Sequence, residues 1–310
     1  LLLISRSSTK NNIPAYELVV SEQFKNPIGF YDASPSFSWK LPENVTYQTA
    51  YKIVVASHPD LLVKAPDIWN SGKVSSSQTI YIPYKGSTLK SRQKVYWQVQ
   101  FWDENDAKSK WSDVAHFELG LLKNGDWEGK WMSIPHDKLI ETDYRGSLLF
   151  PAQYIRKEIT IDKTVNKARL YVTAKGVYQA YINGEKVGND VMPPGWVPYK
   201  KYIPTLTYDV TDLLKDGKNT IGFVVAEGWY AGKIYLRGRK KKHGLTPSLL
   251  CQLELEHKSE KTVIVSNEDW KVTTNGPIRI AKIYDGETYD ANFELGDWHT
   301  NDYNDTQWHK

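Results

Sequence analysis

Apolar and polar residues alternate with a period of two along most of this chain. Val95, Trp97, Val99 and Phe101 alternate with Tyr96, Gln98, Gln100 and Trp102, which predicts a half-buried strand. Residues 53–56 read as another apolar strand core, and residues 170–174, 178–182, 221–225 and 249–255 repeat the pattern. Each run is bounded by Gly, Asn, Asp or Pro, which turn the chain. The prediction is an all-β protein. The best helical candidate is a short connector, with Thr211 as cap, Leu213 and Leu214 facing inward, Lys215 complementing the carboxyl end of the dipole and Gly217 as the stop.

Strand runs close at residues 117–122. Lys123, Asn124, Gly125 and Asp126 then form a polar turn before Trp127 and Trp131 begin a second series. The expected organisation is a mobile tail over residues 1–13, a β-sandwich of immunoglobulin or fibronectin type III kind over 14–122, a linker over 123–130, and a jelly-roll β-sandwich over 131–310.

Composition narrows the function classes. A chain of 310 residues, 40% hydrophobic and 25% charged, suits about two globular domains and is not a disordered one. No apolar run approaches the roughly 20 residues of a spanning helix. The net charge of +4 gives none of the field that makes general nucleic-acid binding favourable. The single cysteine, Cys251, makes neither an internal disulfide nor a multi-cysteine zinc site and fits a small buried position. Leu1, Leu2, Leu3 and Ile4 are too few for a signal core but match the remnant of one, so the expected location is the periplasm or the cell exterior, with the cytoplasm as alternative. Twelve Trp and twenty Tyr against eight Phe favour rings with a polar tip, which suit both sheet cores and sugar platforms.

Serine-hydrolase, kinase, zinc-protease and dinucleotide motifs are absent from the sequence. Asn183 and Gly184 supply the two positive φ values of a type I′ hairpin turn. Just beyond, Asn189 and Asp190 offer hard oxygen ligands and acceptors, and Trp196 and Tyr199 offer apolar walls, a set suited to sugar hydroxyls or to Ca²⁺. The alternative is that Asn189 and Asp190 cap a turn while Trp196 fills the core. Trp229 and Tyr230, flanked by Gly228 and Gly232, suggest a loop against a ligand or an opposite sheet. Asp285 and Glu287 form a secondary acidic candidate, better suited to a turn, ion pairing or metal ligation than to catalysis. The basic run 237–243 reads as a solvated loop.

In order and spacing the chain resembles the N-terminal half of bacterial α-L-rhamnosidases of glycoside hydrolase family 78. The residues that carry the resemblance are Asn26-Pro27-Ile28-Gly29, Pro35-Ser36-Phe37-Ser38-Trp39, Trp69-Asn70-Ser71-Gly72 and Tyr96-Trp97-Gln98-Val99, then Pro194-Gly195-Trp196, Thr207-Tyr208-Asp209-Val210-Thr211, Gly228-Trp229-Tyr230 and the stretch from Tyr284 through Asp285, Gly286, Glu287, Thr288, Tyr289 and Asp290 to Ala291. Val197 stands where the family usually has Thr, and Asn292 where it usually has Arg. The resemblance implies a fibronectin-like sandwich followed by a module similar to the calcium-dependent, rhamnose-binding modules of carbohydrate-binding family 67. It also implies inverting hydrolysis of terminal α-L-rhamnose by two glutamates on an (α/α)6 barrel lying beyond the residues of this chain. The expectation is therefore a non-catalytic fragment that binds a rhamnose-containing glycan or scaffolds that missing C-terminal barrel. In that reading Asn189 and Asp190 ligate Ca²⁺ or sugar hydroxyls, and Trp196, Tyr199, Trp229 and Tyr230 contact the sugar. A free-standing carbohydrate-binding or adhesion protein is the alternative.

Overall fold

The computed structural model describes residues 13–139, 141–142, 148–232 and 243–310. The expected tail, save Ile13, and residues 237–242 of the basic run lie outside the described residues. Internal contacts divide the chain into two compact units that part between Asp126 and Trp127.

The first unit holds β1 (Tyr16–Val20), β2 (Ser36–Lys40), β3 (Gln48–Ala56), β4 (Trp69–Asn70), β5 (Val74–Ser75), β6 (Ile82–Pro83), β7 (Lys94–Asp103) and β8 (Ala115–Glu118). One sheet runs β1-β2-β6; the other runs β4-β3-β7-β8, with β5 also on β3. The alternation of β7 buries Val95, Trp97, Val99 and Phe101, and Ile53 and Val55 of β3 lie opposite Val99 and Trp97. Phe37 and Phe117 complete this aromatic core. Gln100 breaks the pattern because it is buried, and its amide donates to the Ser109 carbonyl at 2.8 Å.

The second unit holds β9 (Glu141–Thr142), β10 (Leu148–Leu149), β11 (Gln153–Ile161), β12 (Lys167–Lys175), β13 (Val177–Ile182), β14 (Glu185–Lys186) and β15 (Leu206–Asp209). It continues with β16 (Gly217–Ala226), β17 (Ser248–Glu256), β18 (Lys261–Val265), β19 (Lys271–Thr273), β20 (Ile278–Lys282) and β21 (Gly286–Tyr289). A five-stranded sheet, β14-β13-β16-β11-β19, and a four-stranded sheet, β15-β12-β17-β18, enclose a core that includes Leu170, Val172, Ile221, Phe223, Leu253 and Trp270. Cys251 is buried in this core, which pushes its thiol pKa up. The chain is thus two all-β sandwiches. Its α-helices among the described residues, α1 (His136–Leu139) and α2 (Gly228–Ala231), are single turns, and none is long or apolar enough to cross a membrane.

On each side of the point between Asp126 and Trp127 the chain is bonded to its own unit. The Asp126 carboxylate accepts from Ser91 Oγ and the Lys123 N–H at 2.5 and 2.8 Å. Glu128 N–H donates to Gln252 Oε1 at 2.8 Å, and Lys130 N–H to the Ser266 carbonyl at 2.7 Å.

Local chemistry differs from expectation at two places and agrees with it at the hairpin turn. The helical connector is one 3-10 turn, Thr211–Leu213, and Thr211 does not cap it; its hydroxyl donates to Asp209 Oδ1 at 2.6 Å and accepts from the Ala168 N–H at 2.9 Å. Trp229 and Tyr230 lie in α2 rather than in an open loop. Asn183 and Gly184 do take the left-handed backbone of the turn, with φ of 52° and 91°. The Asn183 amide also donates to Asn219 Oδ1 and the Leu213 carbonyl, binding the hairpin to the connector.

Candidate functional site

Strand alternation sends Ile155, Ala180, Ile182, Ile221, Phe223 and Val225 into the core, so Tyr154, Arg156, Gln179, Tyr181, Gly222 and Val224 face outward on the five-stranded sheet. Tyr154 and Arg156, both outward on β11, need cover. The segment after residue 297 supplies it.

Trp298 lies against Gly222, where an added Cβ would stand 2.8 Å from the indole, so only glycine lets the ring approach this strand. The indole meets Tyr154 edge-on at 5.3 Å and Tyr181 at 5.8 Å, and Trp308 packs beyond it at 6.1 Å. Arg156 is only 1% exposed. It donates to the Trp298 carbonyl at 2.9 Å, the Thr300 carbonyl at 3.0 Å and Glu158 at 2.8 Å, and also pairs with Asp305.

Between this face, the β20–β21 ribbon, residues 294–299 and the segment 190–192 opens a cleft of about 650 Å³. Tyr154, Tyr181 and Trp298 supply its rings. Asp190, Glu287 and Glu294 bring carboxylates, and Lys186, Lys282 and His299 bring donors. Tyr181 donates to Gln179 Oε1 at 2.8 Å, and Tyr289 donates to Glu294. Burial, with Glu294 and Glu287 nearby, pushes the Tyr154 hydroxyl up to about 12, so it stays a neutral donor. Lys282 and Glu227 form a buried ion pair at 3.5 Å beside the cleft.

The wall at residues 188–194 is set by tyrosines. Gly188 takes φ +69° with its backbone against the Tyr208 ring, where an added Cβ would lie 2.4 Å away. The Pro193 carbonyl accepts from the Tyr178 N–H at 2.9 Å. The Tyr178 and Tyr208 hydroxyls meet at 3.3 Å. Burial raises both pKa values, and the Asp190 carboxylate adds to each shift.

The His299 ring meets Tyr181 at 4.9 Å, tilted by 32°, and its buried Nδ1 has no hydrogen-bond partner among the described residues. Desolvation holds its pKa below the ordinary range, against a smaller upward pull from Asp297. A base with a depressed folded-state pKa contributes its full stability above the ordinary value near about 6.5, and that contribution is lost as pH falls through the depressed value. Acidification from about pH 7 to about pH 5 should therefore lower the melting temperature more in the parent than in His299→Gln. Parallel melting curves for the two would refute this assignment.

Asp190 and Glu287, about a hundred residues apart in sequence, line one cleft. The other candidates do not line it. Asn189 is exposed at the edge of the wall, Asp285 sits on the exposed β20–β21 turn, and Trp196 is 59% exposed. Tyr199 and Tyr230 meet edge-to-face at 5.2 Å, His243 meets Tyr199 at 5.1 Å, and Trp229 is half-buried. Burial raises Tyr199 to about 12. The cleft residues that motif reading passed over are Tyr154, Tyr181, Glu294, Trp298 and His299. The period of two marked the outward face of Tyr154 and Tyr181, but nothing local tied residues near 298 to it.

A calcium site needs six to eight oxygen ligands. Asn189 and Asp190 provide two exposed side chains, Asp190 lies beside Tyr208, and no group of three or more acidic, histidine or cysteine side chains suited to a metal occurs among the described residues. Asn189 and Asp190 by themselves supply only part of such a set.

Residues 16–123 match the Rha78A-like N-terminal immunoglobulin domain, and residues 163–310 match the α-L-rhamnosidase N-terminal domain. The chain is 52% identical over 297 residues to an α-L-rhamnosidase of Formosa agariphila, a match covering 95% of this chain and 32% of that protein. It is 45% identical over 309 residues to one of Alteromonas sp. strain LOR, covering 98% and 33%. Among solved structures, the α-L-rhamnosidase of Dictyoglumus thermophilum superposes with a TM-score of 0.86 at 33% identity, over 96% of this chain and 34% of that one. That of Aspergillus terreus gives 0.82 at 33% identity, over 95% and 33%. The chain spans about a third of the length of these relatives.

Proposed function

Since this chain belongs to the N-terminal region of the α-L-rhamnosidase family, we propose that it serves such an enzyme as a non-catalytic saccharide-gripping part, with the second unit holding a rhamnosyl residue in its outer-face cleft. The observation that carries this reading is the composition of the cleft: Tyr and Trp rings, with carboxylates, an amide and ammonium groups around them. A pyranose needs an apolar face to stack on and polar groups at fixed positions for its hydroxyls. Tyr181 and Gln179, joined by their own hydrogen bond, offer both in one place. Glu287 and Asp190 accept hydroxyl protons from opposite walls, and the neutral Tyr154 hydroxyl donates from the floor. We assign bond cleavage to the helical barrel expected in the remainder of the parent enzyme, and place the protein in the periplasm or outside the cell.

A bracing role has its own support. Val191, Met192, Trp196 and Tyr202 are all exposed within a short irregular segment, a cluster suited to packing against a neighbouring domain.

Calorimetric titration of L-rhamnose into the chain separates the two. Binding in the millimolar range, unchanged between calcium and a chelator and weakened at least tenfold in Tyr181→Ala, is the expected result. Absence of heat in both buffers would leave bracing alone. Binding lost on chelation would show that a metal completes the site.

A further inference from the structure

The first unit carries a surface of the same chemical kind, and we propose that it is a second saccharide contact, with Tyr31 as its stacking ring. Tyr31 is 70% exposed, yet its ring is not loose. It meets Phe24 edge-on at 6.2 Å and Phe30 at 5.2 Å. Phe30 is buried and packs in turn on the core ring Phe117 at 5.7 Å. An open aromatic face fixed from behind loses little conformational entropy when a ligand stacks on it.

Beside that ring lies a groove of about 410 Å³, whose remaining walls are Ser21, Glu22, Gln23, Phe24, Asp32, Ser34 and Ser36. Its polar side chains are hydroxyls, an amide and two carboxylates, and no lysine or arginine lines it. That set matches a neutral polyol and repels a phosphate or sulfate. The groove is also ordered before any ligand arrives. Asp32 accepts from the Ser34 N–H at 2.8 Å and from Ser21 Oγ at 3.1 Å, which fixes its carboxylate plane. Ser21 N–H donates to the Ser36 carbonyl at 2.9 Å, and Val20 and Phe24 exchange backbone hydrogen bonds at 2.9 and 3.1 Å. The Ser34 and Ser36 hydroxyls point to no protein partner among the described residues, and Asp32 keeps acceptor capacity beyond its two bonds. The ligand class is a pyranoside unit of a glycan, held by one ring face on Tyr31 and by its hydroxyls along Ser34, Ser36 and Asp32. The groove rests on the saccharide reading for its ligand class but shares no residue with the cleft, so each site stands or falls separately.

The test uses the whole chain labelled with 3-fluorotyrosine. The Tyr31 signal is the fluorine resonance missing from Tyr31→Phe, and the cleft signal is the one missing from Tyr181→Phe. Methyl α-L-rhamnopyranoside is titrated, with glycerol at equal concentration as the control. A Tyr31 resonance that shifts along a saturating curve with the glycoside, and stays in place with glycerol, supports the groove. A Tyr31 resonance that does not move, or moves linearly and equally with glycerol, overturns it even if Tyr181 responds. A response at Tyr31 alone upholds the groove and removes the sugar-binding reading of the cleft.

Discussion

Replacing Arg156 by methionine is expected to lower the stability of the second unit by about 3 kcal/mol, the low end of the range for breaking a buried charged network. The guanidinium is the one cation that reaches the Trp298 and Thr300 carbonyls, Glu158 and Asp305 together among the described residues. Methionine fills the stem volume but takes the guanidinium donor from two carbonyls and two carboxylates, of which Glu158 keeps the Asp302 N–H and the nearby Lys218. Glu158 and Asp305 are partly exposed, at 34% and 24%, so water relieves some of the loss and keeps the cost from the top of the range. Urea unfolding measures it as a fall in midpoint at constant slope. A change below about 1 kcal/mol would mean that the aromatic packing, not the clamp, holds the 298–305 segment. L-rhamnose titration adds a second readout, because a released segment takes Trp298 and His299 out of the cleft wall.

Trp298→Ala is expected to cost about 3–5 kcal/mol, as for other buried Trp-to-Ala changes. The indole fills the space over Gly222 and touches Tyr154, Tyr181 and Trp308, so its removal opens a cavity whose floor, Gly222, has no side chain to fill it. Trp298→Phe keeps a ring at the same place and should recover more than half of that loss. The two positions share a contact: Arg156 holds the backbone carbonyl of Trp298 itself. The double variant Arg156→Met/Trp298→Ala should therefore cost less than the two single changes added, by at least about 0.5 kcal/mol. Strict additivity would show that the clamp and the indole act on separate parts of the wall.

Much of the fold was legible in the chain because strand formation is encoded locally. The alternation in β7 buried the expected four residues, and Asn183 and Gly184 made the expected turn, since side-chain period and positive φ are properties of a few adjacent residues. The site was less legible. Asp190 and Glu287 were visible as polar residues in turn-rich segments, but their meeting in one cleft depends on β20 and β21 folding over β13 and β16. Trp196 drew notice through its Pro-Gly-Trp setting, yet it is exposed outside the cleft. Tyr199 and Tyr230 were visible as candidate sugar walls, and their edge-to-face contact with each other, away from the cleft, depends on α2 lying beside the 196–202 segment.

Sequence alone determined that this protein is two β-sandwiches of rhamnosidase N-terminal type, because period, turn chemistry and motif order are read along the backbone. Tertiary structure alone decided where the cleft lies. A concave surface is made by residues such as Tyr154, Tyr181 and Trp298 that are far apart in the chain, and it exists only once long-range strand pairing and the Arg156 clamp bring them to one face.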